Sequence, residues 1–343
     1  MTVFSSDAAA AIPPYSLAGS FELPAGAGVW DITSEGRVVT LVGDDIYLQD
    51  NPNLSSFTKL GSLPAGSIPS YGASFIRMSP DYSTLAIGDN FAGGSPDVLL
   101  VNPLALNPFN PTVPVTVPMS HTEAFFADNS TLYVSGTDSD SFVARLDVHT
   151  LVQHTVINHI GGSAAGVTIH DGYLYTSNGF VFGGPSDTGE VRAFPMSEIT
   201  RSTLPLDFET QGIPVADALT GSGLGFDPFG NLLVGGGDVF GGSGDYGYGA
   251  VVDGGAILAA LAGGPIAPDA SELRLSPHLA SDSYFPVWNP ITGELVVGYY
   301  DNSTFTGGTT MYRYTVPAPG ALSILTLAGL MPRRRRANHA ISR

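Results

Sequence analysis

The chain of 343 residues contains no cysteine, which rules out disulfides, thiolate metal sites and cysteine nucleophiles. It does not rule out export. Charge is scarce: 13% of residues are charged against 43% hydrophobic, the reverse of a disordered composition. Positive charge is scarcer still. Before Val316 there are eight basic residues, only one of them a lysine (Lys59), against all 31 acidic ones, a net −23. Such a body repels phosphate backbones, so no nucleic-acid partner is expected. Long apolar runs are also missing. Glycine and proline are not: 43 and 26 residues respectively are incompatible with an all-helical fold.

What the chain does contain is a recurring phrase: an alternating apolar run, a turn with Asp, Asn or Gly, and a second run ending in glycine or another small residue. The copies are VWDITSEGRVVTLVG (29–43), FIRMSPDYSTLAIG (75–88), AFFADNSTLYVSG (124–136), GVTIHDGYLYTSN (166–178), GFDPFGNLLVGG (225–236) and VWNPITGELVVGY (287–299). Gly36, Tyr82, Asn129, Gly172, Gly230 and Gly293 take the equivalent turn position, at spacings of 46, 47, 43, 58 and 63. Period-two alternation around turn residues marks a β-hairpin, and a multi-stranded repeat of about 40–50 residues marks a propeller blade. The two longer intervals need insertions, and their glycine-rich stretches are expected to supply the length.

A third strand follows every copy and a fourth follows five of them: FTKLGSL (57–63), TVPVTVP (112–118), HTVINHI (154–160), LPLDFET (204–210) and ELRLSP (272–277). The sixth copy lacks one, and YSLAGSFELP (15–24) stands at the front of the chain to fill the gap. Closure of the ring by this strand removes open sheet edges. The expectation is therefore an all-β fold: a six-bladed β-propeller over 15–316, closed by an N-terminal strand, with seven blades as the alternative. A segment 1–14 precedes it and a tail 317–343 with a short apolar helix follows it. A monomer is expected.

The phrases SPDYSTLAIG and FDPFGNLLVGG resemble repeat units of bacterial propellers of the NHL and YVTN kinds. That resemblance implies a scaffold, which hosts binding proteins, lyases and hydrolases alike. The tail, VPAPGALSILTLAGLMPRRRR (316–336), resembles the PEP-CTERM family of sorting signals in its VPAP form. Val316, Pro317, Ala318 and Pro319 match the motif, with Ala318 where the family more often has Glu. The twelve-residue apolar stretch 320–331 is shorter than the roughly 20 residues of a free-standing span. Arg333, Arg334, Arg335 and Arg336 supply the cytoplasmic positive charge. The residues ANHAISR beyond them depart from the family's abrupt ending. The resemblance implies an exported protein of the cell envelope, outer surface or extracellular matrix. It also implies processing by an exosortase, transient inner-membrane contact, and association with exopolysaccharide. The first residues show no signal peptide, and a start assigned too far downstream would explain that.

Two groups of candidate site residues stand out. The loops joining second to third strands combine aromatics with carboxylates, and Tyr71 stands apart from them at the entry to an innermost strand. Tyr71, Phe180, Tyr246 and Tyr300 are the candidates for stacking on a sugar. Asp138, Asp140, Asp238 and Asp245 are the candidates for Ca2+, which takes several oxygen ligands. Solvated turns select the same residue types. The second group is His121 with Glu123 at the start of the third blade's innermost strand, and Asp282 at the comparable place in the sixth. Around a channel mouth these would perform acid–base chemistry, bind a cation, or simply hold water. No GxSxG, HExxH or Walker pattern occurs. The GxGxxG match at 242–247 precedes a strand rather than a helix, so no dinucleotide site is read there. Two classes stay open: a binding module for glycan, ion or protein, and an extracellular polysaccharide lyase or hydrolase.

Overall fold

The computed structural model describes residues 15–70, 72–89, 96–180, 189–218, 223–236, 248–267, 282–301 and 309–316. They form six antiparallel sheets arranged as blades. The first comprises β2 (Trp30–Ile32), β3 (Val38–Val42), β4 (Asp45–Gln49) and β5 (Phe57–Ser62). The second comprises β6 (Phe75–Met78), β7 (Leu85–Gly88), β8 (Asp97–Val101) and β9 (Val115–Pro118). The third holds β10 (Glu123–Phe126), β11 (Thr131–Thr137), β12 (Ser141–Asp147) and β13 (Gln153–Asn158). The fourth holds β14 (Ser163–His170), β15 (Tyr173–Phe180), β16 (Glu190–Pro195) and β18 (Ile213–Asp217). In the fifth, β19 (Gly223–Phe226), β20 (Leu232–Gly236) and β21 (Tyr248–Val252) are described. The sixth runs β22 (Asp282–Asn289), β23 (Glu294–Asp301), β24 (Thr309–Thr315), and then β1 (Ser16–Glu22) on its outside.

The ring is thus closed by its N-terminal strand. β1 lies antiparallel to β24, with Phe21 opposite Met311 and Glu22 opposite Thr310. Tyr15 reaches further and donates a hydrogen bond of 2.5 Å to Asp227 in the fifth blade. Burial, and then that bond, hold the Tyr15 phenol well above its ordinary pKa.

The apolar alternation of the strands buries six cores, each between two neighbouring blades. Ile46, Leu85 and Ile87 sit between blades one and two; Leu132, Val134 and Ala86 between two and three. The series ends on Trp30, Val296 and Met311 between blades six and one. A sheet hydrophobic on both faces requires exactly such a neighbour on each side. Blades one and two are tied by hydrogen bonds one residue out of step with their 46-residue repeat. The Glu35 amide donates to the Tyr82 hydroxyl, and the Met78 amide to Asp31 Oδ2, both across 47 residues. Five of the six turn residues, Gly36, Tyr82, Gly172, Gly230 and Gly293, have positive φ, the geometry a tight hairpin turn demands.

In the second and sixth phrases the small residue near the end has a packing reason. A Cβ on Gly88 would meet Ser74 Oγ and His121 Nδ1. One on Gly298 would meet the indole nitrogen of Trp30. Bulk there would push adjacent blades apart.

Two expectations fail in detail. LPLDFET (204–210) is not the outer strand of blade four. Leu206–Asp207 forms β17, which pairs parallel to β13 as a fifth strand of blade three, and Phe208–Gln211 forms a helical turn, α2. The Asp207 side chain accepts the Thr210 amide at 2.8 Å, so the local capping preference wins over strand pairing. IPVAD, β18, takes the outer position instead. Nor do glycine-rich stretches alone lengthen the later repeats. Helix α1 (Met196–Arg201) with β17 and α2 lengthens the fourth, and α3 (Gly254–Leu261), capped by Asp253, the fifth. ELRLSP (272–277) lies outside the described residues.

Candidate active site in the central channel

The innermost strands of all six blades surround a central cavity of about 390 Å³, within the range of small-ligand sites. Its wall is two-sided. Blades one to three contribute Asp31, Arg77 and Glu123; blades four to six contribute mainly apolar and aromatic groups, among them Phe226, Phe285 and Trp288. His170 also lines it, stacked on Phe226 with ring centroids 4.1 Å apart.

Arg77 organises the charged side. Its guanidinium donates to the carbonyls of Trp30 (3.0 Å), Ile76 (2.7 Å) and Ala124 (2.9 Å), one in each of blades one, two and three. Its remaining nitrogen pairs with Glu123 Oε1 at 2.6 Å. Glu123 is buried, and its Oε1 also accepts the Ala124 amide at 2.7 Å. Among the described residues its Oε2 has no hydrogen-bond partner. Burial raises the Glu123 carboxyl to about 7 against the opposing pull of Arg77. Asp31 is raised too, again by burial, although Arg77 and the amides of Met78 and Ile32 favour its charge. With both acids ionised, the cavity carries two negative charges against one positive. An unpaired buried carboxylate oxygen is costly, which favours the protonated form of Glu123.

The predicted site residues divide. Glu123 stands in the cavity. His121 does not join it. It precedes β10 in non-strand conformation, so the period-two rule that would put it on the same side as Glu123 does not apply. Instead the imidazole is fully buried between blades two and three. Its Nδ1 lies 2.7 Å from Ser74 Oγ, its Nε2 3.2 Å from Asp89 Oδ1, and its ring edge against Phe75. A Ser–His–Asp series of this kind ties the inner strand and the second-to-third loop of one blade to the strand leading into the next.

Asp282 begins β22 opposite Asp301, three residues before the stretch that lines the cavity. Of its side chain, and those of Phe180 and Tyr300, nothing is described. Tyr71, Tyr246, Asp238, Asp245 and all of the sorting motif except Val316 lie outside the described residues.

Asp138 and Asp140 occupy the β11–β12 turn. Asp140 accepts the His159 amide at 3.0 Å, and His159 in turn binds Asp207 at 2.8 Å, which raises the imidazole and lowers Asp207 to about 2. Among the described residues no group of three or more His, Asp or Glu side chains converges as a metal site.

Sequence reasoning missed Asp31 and Arg77. Both interrupt short apolar strands, VWDI and FIRM, and they lie 46 residues apart, the spacing of the turn residues Gly36 and Tyr82. A charge inside an innermost strand at a repeat-equivalent position was the available signal.

No protein-family model matches the chain, and no curated protein sequence matches it. Among solved structures it is similar to a gluconolactonase from Xanthomonas campestris, with TM-score 0.53, 11% identity, and 87% of this chain and 90% of that one covered. This likeness is one of fold alone. TolB from Acinetobacter baumannii is a looser match, with TM-score 0.46 and 11% identity over 68% of this chain. The chain spans about half (53%) of the length of that TolB.

Proposed function

We propose that this is an exported bacterial protein of the cell surface or extracellular matrix whose propeller serves as a binding module, with a glycan as its ligand. The observation that carries the binding reading is the two-sided channel cavity, with Asp31, Arg77 and Glu123 on one side and aromatic side chains on the other. Aromatic faces opposite hydrogen-bonding carboxylates are the usual means of holding a sugar ring. Export rests on the tail: the VPAP motif, the apolar run and four arginines in that order. They support an exosortase as the processing partner, a transient inner-membrane contact, and exopolysaccharide as the neighbour.

The second reading, an extracellular lyase or hydrolase, is favoured by one observation. A carboxyl raised to about 7 in a cavity is suited to general acid–base work. Passing a panel of polysaccharides over the immobilised protein separates the two. Retention with unchanged chain length supports the binding module. Shortened products or new unsaturated ends support the enzyme, and passage of every polysaccharide unretained and unaltered refutes both.

A further inference from the structure

Away from the channel, the wedge between blades two and three holds a second cavity, of about 350 Å³, again within the range of small-ligand sites. None of its lining residues lines the central cavity. One wall is the end of β9 and the chain beyond it, Pro118 to Ser120. The other is a sheet face, with Phe142 and Ala144 of β12 beside Gln153 and Thr155 of β13. Thr155 stands opposite Ala144, and Gln153 opposite Leu146; directly paired residues share a face. Ala144 and Leu146 belong to the core between these two blades, so Thr155 and Gln153 also face blade two. The Gln153 amide accordingly lies 3.4 Å from the Pro118 carbonyl at one end of the cleft. Asp138, in the β11–β12 turn, stands at the other.

Gly136 shapes the floor. It lies opposite Phe142, and a Cβ there would meet the Ser120 carbonyl and the tip of the Phe142 ring. Its bare backbone lets the two walls approach with the half-buried ring between them.

The polar groups favour one kind of ligand. The side chains of Asp138 and Thr155 are exposed and make no hydrogen bond among the described residues. The Ser120 hydroxyl donates to the Thr137 carbonyl, which leaves its oxygen to accept. His154, opposite Arg145, alternates onto the other face, so no cationic side chain faces the ligand. A carboxylate accepts two neighbouring hydroxyls at once, and a phenyl ring suits the C–H side of a pyranose. An anion would meet Asp138 within a strongly acidic body. A peptide would find no sheet edge to pair with, because β12 is already bonded on both sides.

We infer that this cleft binds a neutral hexopyranose unit of a polysaccharide. Two adjacent hydroxyls lie on Asp138, others on Thr155 and Gln153, and the C–H face lies against Phe142. This extends the glycan-binding reading to a second site and does not depend on the first.

The test is a saturation-transfer NMR titration of the full chain with methyl β-D-glucopyranoside, methyl α-D-mannopyranoside and methyl β-D-galactopyranoside. Methyl β-D-glucuronide and methylammonium are the charged controls. At least one neutral glycoside should bind, with the strongest saturation on its ring C–H protons. Asp138→Asn should weaken it roughly tenfold, because bonds to a charged acceptor are the strong ones. Thr155→Trp should fill the cleft and abolish binding there. Both positions are exposed, so both variants should keep the wild-type Tm. Independently of any variant, wild-type crystals soaked in the bound glycoside should show it within hydrogen-bonding reach of Asp138.

Density in the channel alone, or unchanged affinity in both variants, overturns the cleft and leaves the channel reading standing. A glucuronide or methylammonium bound as tightly as the best glycoside overturns the neutral sugar. If no neutral glycoside binds, the inference falls, and the polysaccharide panel judges the channel by itself.

Discussion

The N-terminal strand joins both ends of the chain into one ring, so loosening it should weaken the whole propeller rather than fray one blade. Leu23, just beyond β1, is 5% exposed in the core between blades six and one, alongside Trp30, Val296 and Met311. Truncating such a leucine costs about 2–5 kcal/mol, the lost transfer energy plus the cavity left behind. At about 2–4 °C per kcal/mol for a domain approaching this size, Leu23→Ala should lower Tm by roughly 5–15 °C. Tyr15→Phe at the other end of the strand removes the 2.5 Å bond to Asp227, which keeps the Phe229 and Asn231 amides and the Asn231 side chain as donors. That costs about 1–2 kcal/mol and a few degrees.

The chain's two tryptophans flank this seam: Trp30 lies in the same core as Leu23, and Trp288 packs with Tyr15 between blades five and six. Their fluorescence and far-ultraviolet circular dichroism should report one coincident transition in both variants. A Leu23→Ala melt within 2 °C or so of wild type, given that expected cost, would refute the reasoning. So would a fluorescence transition well ahead of the loss of β-structure, which would make the strand an appendage.

Three further outcomes are expected. Because the Glu123 carboxyl is raised to about 7 in the folded state, its contribution to stability is complete below the unfolded value near 4.5 and is lost as pH rises through 7; Asp31 is shifted in the same direction. Glu123→Gln should therefore flatten the fall in stability between pH 4.5 and 7, by about 3 kcal/mol, measured by urea unfolding across pH; an unchanged slope would place the titration elsewhere. Gly88→Ala should lower Tm by several degrees through overpacking of Ser74 and His121, whereas Gly66→Ala, with open space around it but positive φ, should cost only about 1 kcal/mol. Protein ending at Val316 should melt as the full chain does and be mislocalised in its host; a lowered Tm would mean that the tail is structural.

The blade count was legible because propeller geometry writes itself into short-range chemistry. Five of the six hairpins take a turn residue at positive φ, and in blades two and six the second strand carries a glycine where a neighbouring side chain crosses it. Gly36, Gly230 and Gly293 supply the first, Gly88 and Gly298 the second. The missing sixth outer strand, together with YSLAGSFELP at the front, gave away the closure. Leu206–Asp207 was misassigned because a two-residue parallel pairing leaves no periodicity to read, and Asp207 caps a helical turn at the same place. Of the candidate site, Glu123 was visible as an acid at the start of an innermost strand. Its separation from His121 was not, since it depends on where β10 begins, and the Arg77 clamp depends on three strands meeting around the channel axis.

The central claim is that the channel, and not the outer loops, holds the ligand. It is tested most directly by soaking crystals of the protein in the repeating unit of a polysaccharide it retains. The account predicts ligand density in the cavity between the charged wall of Asp31, Arg77 and Glu123 and the aromatic side chains Phe226, Phe285 and Trp288. Density confined to the second-to-third loops, with the channel holding only solvent, would contradict it.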